Sequence, residues 1–150
     1  MSASLQLDKY FFTRLIVEAH PPKNGESNTM QGGHASSKIS LELHHPDGEK
    51  QHFQLTLAII IEPLHQDEPI PYTAEIETVG FFTVPDLQKE QFDIDKLVKI
   101  TGGAILYSAA REQILSITAR GPFPPMQLPT INLVRAVEDN NLKTTDTDNN

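Results

Sequence analysis

The sequence predicts an α+β fold, a four-stranded antiparallel sheet with a long helix and a shorter C-terminal helix. Three observations carry that expectation. Four early stretches alternate apolar and polar residues with a period of two, two later stretches space apolar residues by threes and fours, and prolines or glycines punctuate the junctions. The strands all precede the two helices, the order of an α+β domain.

The first strand should run from about Asp8 to Ala19, a segment rich in β-branched and aromatic residues. Strict alternation would place Phe11, Thr13, Leu15 and Val17 on one face, with Phe12, Arg14, Ile16 and Glu18 on the other. His20 to Ser37 holds Pro21, Pro22, Gly25, Gly32 and Gly33 and almost no large apolar residue, so it reads as a long connector. Lys38 to His44 then sets Ile39, Leu41 and Leu43 on one face against Lys38, Ser40, Glu42 and His44 on a wet one. Pro46-Asp47-Gly48 signals a turn, and Lys50 to Glu62 should return antiparallel with Phe53, Leu55, Leu57, Ile59 and Ile61 inside. Pro63 should end that strand. After a loop from Leu64 to Pro71, Tyr72 to Val84 is the fourth strand. Its Glu75, Glu77, Val79 and Phe81 oppose Ala74, Ile76, Thr78, Gly80 and Phe82, and Gly80 marks either a bulge or a close backbone approach. Asp86 to Asp95 reads as a charged loop before a short helical turn at Ile94 to Ile100.

The long helix should begin near Gly103, after a flexible Gly102-Gly103 pair, since Ala104 to Arg120 contains neither Pro nor Gly. Ile105, Leu106, Ala109, Ala110, Gln113, Ile114, Ile117 and Thr118 make one face, and its two alanines invite close packing. Arg120 suits the negative end of the helix dipole, Gly121 stands where a left-handed C-cap is wanted, and Pro122 forbids continuation. Pro122, Pro124, Pro125 and Pro129 stiffen the connector that follows. Thr130 or Asn132 can then cap a short helix with Leu133, Val134 and Val137 on its apolar side. Two helices cover only part of a sheet with two apolar faces, so a further layer is expected, most simply another copy of the chain.

Length suits one domain, residues 1–138, with an acidic, Asn- and Thr-rich tail at 139–150 expected to be disordered. Twenty acidic against 12 basic side chains give a formal charge of -8, which argues against nucleic acid and for a basic protein surface as partner. The absence of cysteine removes disulfides, thiolate metal sites and a cysteine nucleophile. No signal peptide or spanning segment is apparent, the longest apolar run being Leu57 to Ile61, so a cytoplasmic protein without stable membrane insertion is expected.

His44 and His45, with His52 across the hairpin and Asp47 and Glu49 nearby, invite a metal reading. Adjacent strand residues point to opposite faces and chelate poorly, so no metal is expected. Glu18, Glu75 or Glu77 with a histidine could serve an acid–base enzyme, and a small α+β enzyme is the alternative from another class. Phosphate loops, nucleophile elbows and dinucleotide fingerprints are missing, so neither enzyme activity nor a cofactor is expected.

One third of the chain is more specific. Ile105-Leu106-Tyr107, Ala110-Arg111-Glu112, Arg120-Gly121 and Phe123-Pro124, followed by Leu128-Pro129-Thr130-Ile131-Asn132, resemble the SecB family of bacterial export chaperones. The resemblance implies a long crossover between the first two strands and a homotetramer, a dimer of dimers with the long helices between sheets. Ile105, Ala109, Ala110, Gln113 and Ile117 would then lie at the oligomer interface. It further implies apolar grooves that hold unfolded preproteins in extended form without ATP, lined here by Ile39, Leu41, Leu43, Leu133, Val134 and Val137. Non-directional apolar burial suits such a task because it tolerates many sequences. An exposed sheet edge or the extended connector could add backbone pairing. Delivery to the SecA motor is implied at an acidic surface that includes Glu18 and Glu75. Two departures stand out. Arg14 aligns with a third acidic position, and Leu133 and Val137 stand where the family often has aromatic residues, which Phe53, Tyr72 or Phe123 could replace. Some SecB-like proteins are dedicated chaperones of an antitoxin, which is the alternative within the same class.

Overall fold

The computed structural model describes residues 5–21, 34–46, 51–85 and 94–138. Strands β1 (Gln6–Ala19), β2 (Ala35–His44), β3 (His52–Pro63) and β4 (Tyr72–Thr83) form one antiparallel sheet in the order β1-β4-β3-β2. Chain neighbours β1 and β2 therefore occupy opposite edges, which is why a long connector joins them. Helix α1 (Ile94–Leu97) passes through a π turn (Val98–Gly102) into α2 (Gly103–Thr118), and α3 (Leu133–Glu138) closes the described chain. The expected tail at 139–150 lies outside the described residues.

Period-two alternation decides which side of β2, β3 and β4 is dry. Leu41, Leu43, Phe53, Leu55, Leu57, Ile59, Ile61, Ala74, Ile76 and Phe82 are buried together beneath Leu106, Ala110 and Ile114 of α2. In β1 strict alternation fails. Register shifts between Leu7 and Lys9 and between Phe12 and Arg14 leave Phe12 packed on the core, while Phe11 crosses to the outer face beside Phe81 at 6.0 Å. Each shift adds an unpaired residue to one strand, which turns the side chains beyond it to the other face.

Glycines in and beneath the helix report close approach rather than flexibility. Gly102 and Gly103 are right-handed helical (φ -63° and -60°), so the helix does not start there but runs through from Ile94. A Cβ on Gly102 would lie 3.1 Å from Leu55 and Phe82, and one on Gly103 would lie 3.0 Å from Leu41. Gly80 is a close approach, since a Cβ there would stand 2.8 Å from Phe82 and 2.9 Å from Leu106. Gly121 does not adopt the expected left-handed conformation; its lack of a side chain instead makes room for the Tyr72 hydroxyl.

Candidate functional site

The π turn and the start of α2 lie on Leu55 and Leu41, α3 packs on the π turn, and Leu128 of the proline connector and Leu133 of α3 join the core. Leu41 and Leu43 are fully buried there, and Leu133, 6% exposed, sits over Gly103 against the same core. In this closed arrangement they form the floor of the surface rather than its rim. Ile39, Met126 and Ile131 pack on the core yet keep part of their surface outside, and Val134 and Leu64 are exposed. The accessible apolar side chains therefore include Ile39 and Val134 from the expected set and add Met126 and Ile131. The side chain of Val137 lies outside the described set. Met126 and Ile131 escaped notice because a proline-rich segment has no periodicity to mark which side is apolar.

Two tyrosines and a threonine fix the connector. The Tyr72 hydroxyl accepts from the Phe123 amide at 3.0 Å and has the Phe123 carbonyl (3.1 Å) and the Thr118 carbonyl (3.3 Å) as acceptors for its own proton. Thr118 Oγ1 donates to the Ile114 carbonyl (2.7 Å) and accepts from the Met126 amide (2.8 Å). Tyr107 donates to the Pro129 carbonyl at 2.6 Å, and burial pushes its hydroxyl pKa up, partly opposed by Arg111. Asn132 Oδ1 caps α3 through the Arg135 amide at 3.1 Å. Of the aromatic residues expected to line a subsite, Phe53 and Tyr72 are core, and Phe123 keeps partial exposure against the Tyr72 ring at 5.6 Å.

The β1 edge of the sheet is less completely covered. None of the 14 residues of β1 is buried, and Tyr10, Phe11, Leu15 and Ile16 are exposed large hydrophobics distributed over both faces of this edge strand. The residues expected at an oligomer interface separate into two stripes on α2. Ala110 lies on the sheet-facing stripe with Leu106 and Ile114 at 0% exposure, whereas Ile105, Ala109, Gln113 and Ile117 stand half-buried beside it. A helix turns about 100° per residue, so adjacent Ala109 and Ala110 cannot share one stripe.

On the outer sheet face the carboxylates are engaged. Arg14 Nε meets Glu75 Oε2 at 2.7 Å, Thr13 Oγ1 donates to Glu77 Oε1 at 2.7 Å, and Lys38 meets Glu62 at 2.8 Å. Glu18 is exposed opposite Thr73. The positive Arg14 is thus spent on one of the two acids expected to meet a partner, although both groups are solvated enough for the pair to contribute little stability.

The histidines do not converge. His44 approaches Glu42 (3.7 Å), His45 approaches Asp95 (3.1 Å), and His52 Nδ1 lies 3.2 Å from Thr83 Oγ1, which donates to Asp8. Among the described residues no three metal-ligating side chains group together; Asp47 and Glu49 lie outside them. A cleft of about 460 Å³ beside Asp8, His52 and Phe81 is open to solvent, with its polar groups exposed.

A family model described as preprotein translocase subunit SecB matches residues 3–141. The chain belongs to the SecB family. Among its SecB relatives is the protein-export protein SecB of Anaplasma marginale (strain Florida), 28% identical over 120 residues, covering 78% of this chain and 64% of that protein. The SecB of Anaplasma phagocytophilum is 29% identical over 99 residues, covering 63% of this chain and 62% of its own length. One SecB of Francisella tularensis subsp. novicida is 33% identical over 85 residues, 57% of this chain and 54% of that protein. The matches thus span less than two thirds of these relatives' lengths. A SecB-like chaperone of Mycobacterium tuberculosis, solved in complex with a peptide from an antitoxin, superposes with a TM-score of 0.63 at 19% identity, covering 85% of this chain and 90% of that one. That likeness establishes a shared fold.

Proposed function

We propose that this SecB-family chain is an ATP-independent export chaperone that holds non-native preproteins in extended form and delivers them to the SecA motor. The observation that carries the reading is the family match across residues 3–141, joined to the exposed apolar side chains among the described residues. A binder of many sequences needs apolar area, each Å² removed from water giving about 25 cal/mol whatever the client sequence. Ile39, Met126, Ile131 and Val134 supply such area where the core is near the surface.

Proposed contacts follow from accessibility. Ile39 and Val134 meet a client directly; the buried Leu41, Leu43 and Leu133 back that surface from the core, and Val137 is proposed with them. Glu18 remains available to a basic motor surface, with Glu75 shared with Arg14. A cytoplasmic homotetramer, a dimer of dimers, is proposed because β1 leaves apolar surface on both faces uncovered. Ile105, Ala109, Gln113 and Ile117 lie at the helical interface, with Ala110 supporting it from beneath.

The experiment is dilution of a chemically unfolded, aggregation-prone polypeptide into the purified protein without nucleotide, followed by light scattering. Suppression near one tetramer per client is expected, and Val134→Ser, at an exposed side chain, should weaken it with little change in melting temperature. Unimpeded aggregation with the oligomer intact would remove the general holding role. The Arg14–Glu75 pair favours a second reading, a dedicated chaperone of an antitoxin or other single client, because it withdraws an acid from a basic motor surface. Undetectable SecA binding by a protein that still holds one genomic neighbour's product would select it.

A further inference from the structure

Lys99 is the one charged residue among those described that is buried, 9% exposed within the π turn. The buried threonines each have a partner, Thr78 donating to the Phe11 carbonyl (3.0 Å) and Thr118 to that of Ile114 (2.7 Å). Among the described carboxylates none pairs with Lys99. Asp95 stands four residues ahead of it, the spacing at which a helical acid supports a following lysine, yet its Oδ1 lies 3.1 Å from His45 Nε2. Glu42, Glu62 and Glu75 are turned to His44, Lys38 and Arg14.

A lysine can bury its stem along apolar neighbours, but its ammonium must emerge to water or meet an anion. What lies over the π turn narrows the choice. α3 packs on that turn, and one helical turn beyond Lys99 a Cβ on Gly103 would stand between Leu41 and Leu133, the first residue of α3. α3 leads directly into residues 139–150, where Asp139, Asp146 and Asp148 stand against Lys143 alone. A carboxylate just past the C-terminal end of a helix meets the negative end of its dipole, so Asp139 calls for a cation from elsewhere. The buried cation of the π turn and the acids that follow α3 are complementary in charge.

We infer that the acidic segment 139–150 docks back on the π turn of its own chain, an aspartate of that segment, Asp139 first among them, being the counter-ion of Lys99. α3, at six residues too short to hold itself in water, is then fixed at both ends, by the Asn132 cap in front and by this ion pair behind. A segment whose composition alone suggests disorder is thereby tied to the fold at one point.

The test uses the full chain, with unlabelled and 15N-labelled copies unfolded and refolded together in equal amounts. A water-soluble carbodiimide, which joins a carboxylate to an amine only where the two touch, should link Lys99 to an aspartate of segment 139–150, and mass spectrometry should find both halves of the linked peptide carrying the same isotope. Linked halves of mixed isotope would give the counter-ion to a second copy and overturn docking within the chain; links from the segment to other lysines alone would overturn Lys99 as its anchor. Hydrogen exchange supplies a second readout. Lys99→Met should quicken exchange in α3 about fivefold, as should Asp139→Asn with Asp146→Asn and Asp148→Asn, and the combined variant should quicken it no further. Lys99→Arg should keep the wild-type rate. Lys99→Met should hold or raise the urea midpoint, because an apolar side chain of similar volume replaces a buried charge; if that variant folds poorly, the aspartate variant and the cross-link carry the test. Exchange in α3 that is unmoved by the aspartate changes, or effects that add in the combined variant, would overturn the pair.

Discussion

Gly80 is the residue on which helix and sheet depend for their spacing. The Leu106 side chain and the Phe82 ring occupy the volume that a Cβ would need, and both neighbours are fully buried, so neither has room to retreat. Gly80→Ala should lower stability by about 2 kcal/mol through overpacking, read as a fall in urea midpoint at constant slope. An unchanged midpoint would mean that the helix can lift away without loss. Tyr107 gives a second prediction, with a sign in pH. Its Phe variant loses the bond to Pro129 and should be less stable by about 1 kcal/mol near neutral pH. Burial raises the Tyr107 pKa above its ordinary 10.0, so the folded state keeps the proton longer than the unfolded chain. The associated stability is complete below that ordinary value and falls as pH rises through the raised one. The gap between wild type and Tyr107→Phe should therefore narrow in alkaline solution; a widening gap would reverse the assignment. Such residues were half legible in the sequence. Gly80 was marked as a place of bulge or close approach, but choosing between them needed Leu106, 26 positions further along the chain.

At the scale of elements, the strands were legible because burial on one face stamps period two into the residues, as β2, β3 and β4 show. β1 escaped that logic because its two register shifts turn side chains over without leaving a compositional mark. The helix was legible in its apolar spacing but not in its length, since the sequence cannot distinguish a glycine that frees the chain from one that makes room for Leu55 or Leu41. The inner face of β2 was legible as apolar and not as covered; Leu41 and Leu43 are fully buried, Leu41 beneath Gly103 of the helix, and that covering is tertiary. Their replacement by Ser should cost about 2–5 kcal/mol each and unfold the domain rather than silence it. For the connector itself, Thr118→Val keeps the volume and leaves the Met126 amide without its acceptor. Hydrogen exchange in the segment from Gly121 to Pro129 should quicken at least tenfold while the strands stay protected, corresponding to about 1–2 kcal/mol of local loosening. Uniform quickening would place Thr118 in the global core alone.

At the scale of the whole molecule, the fold is lopsided. The inner face is dry under α2, the connector and α3, yet β1 at one edge carries Tyr10, Phe11, Leu15 and Ile16 in water on its two sides. An edge strand of that length with apolar faces is a hazard that proteins ordinarily cover or pair. The proposed dimer of dimers covers it, and the two alanines at the centre of α2 allow the helical part of the assembly to be tested apart from the fold. Ala110 has no exposed surface within its own chain, whereas Ala109 stands half-buried on the next stripe. Ala110→Phe should therefore destabilise the protomer itself, by about 1–3 kcal/mol of overpacking. Ala109→Phe should leave far-ultraviolet circular dichroism intact and shift the mass in light scattering from tetramer toward dimer, because a ring on that stripe holds apart only what approaches from outside. A tetramer that tolerates Ala109→Phe at low concentration would remove α2 from the interface and leave β1 to join the copies alone.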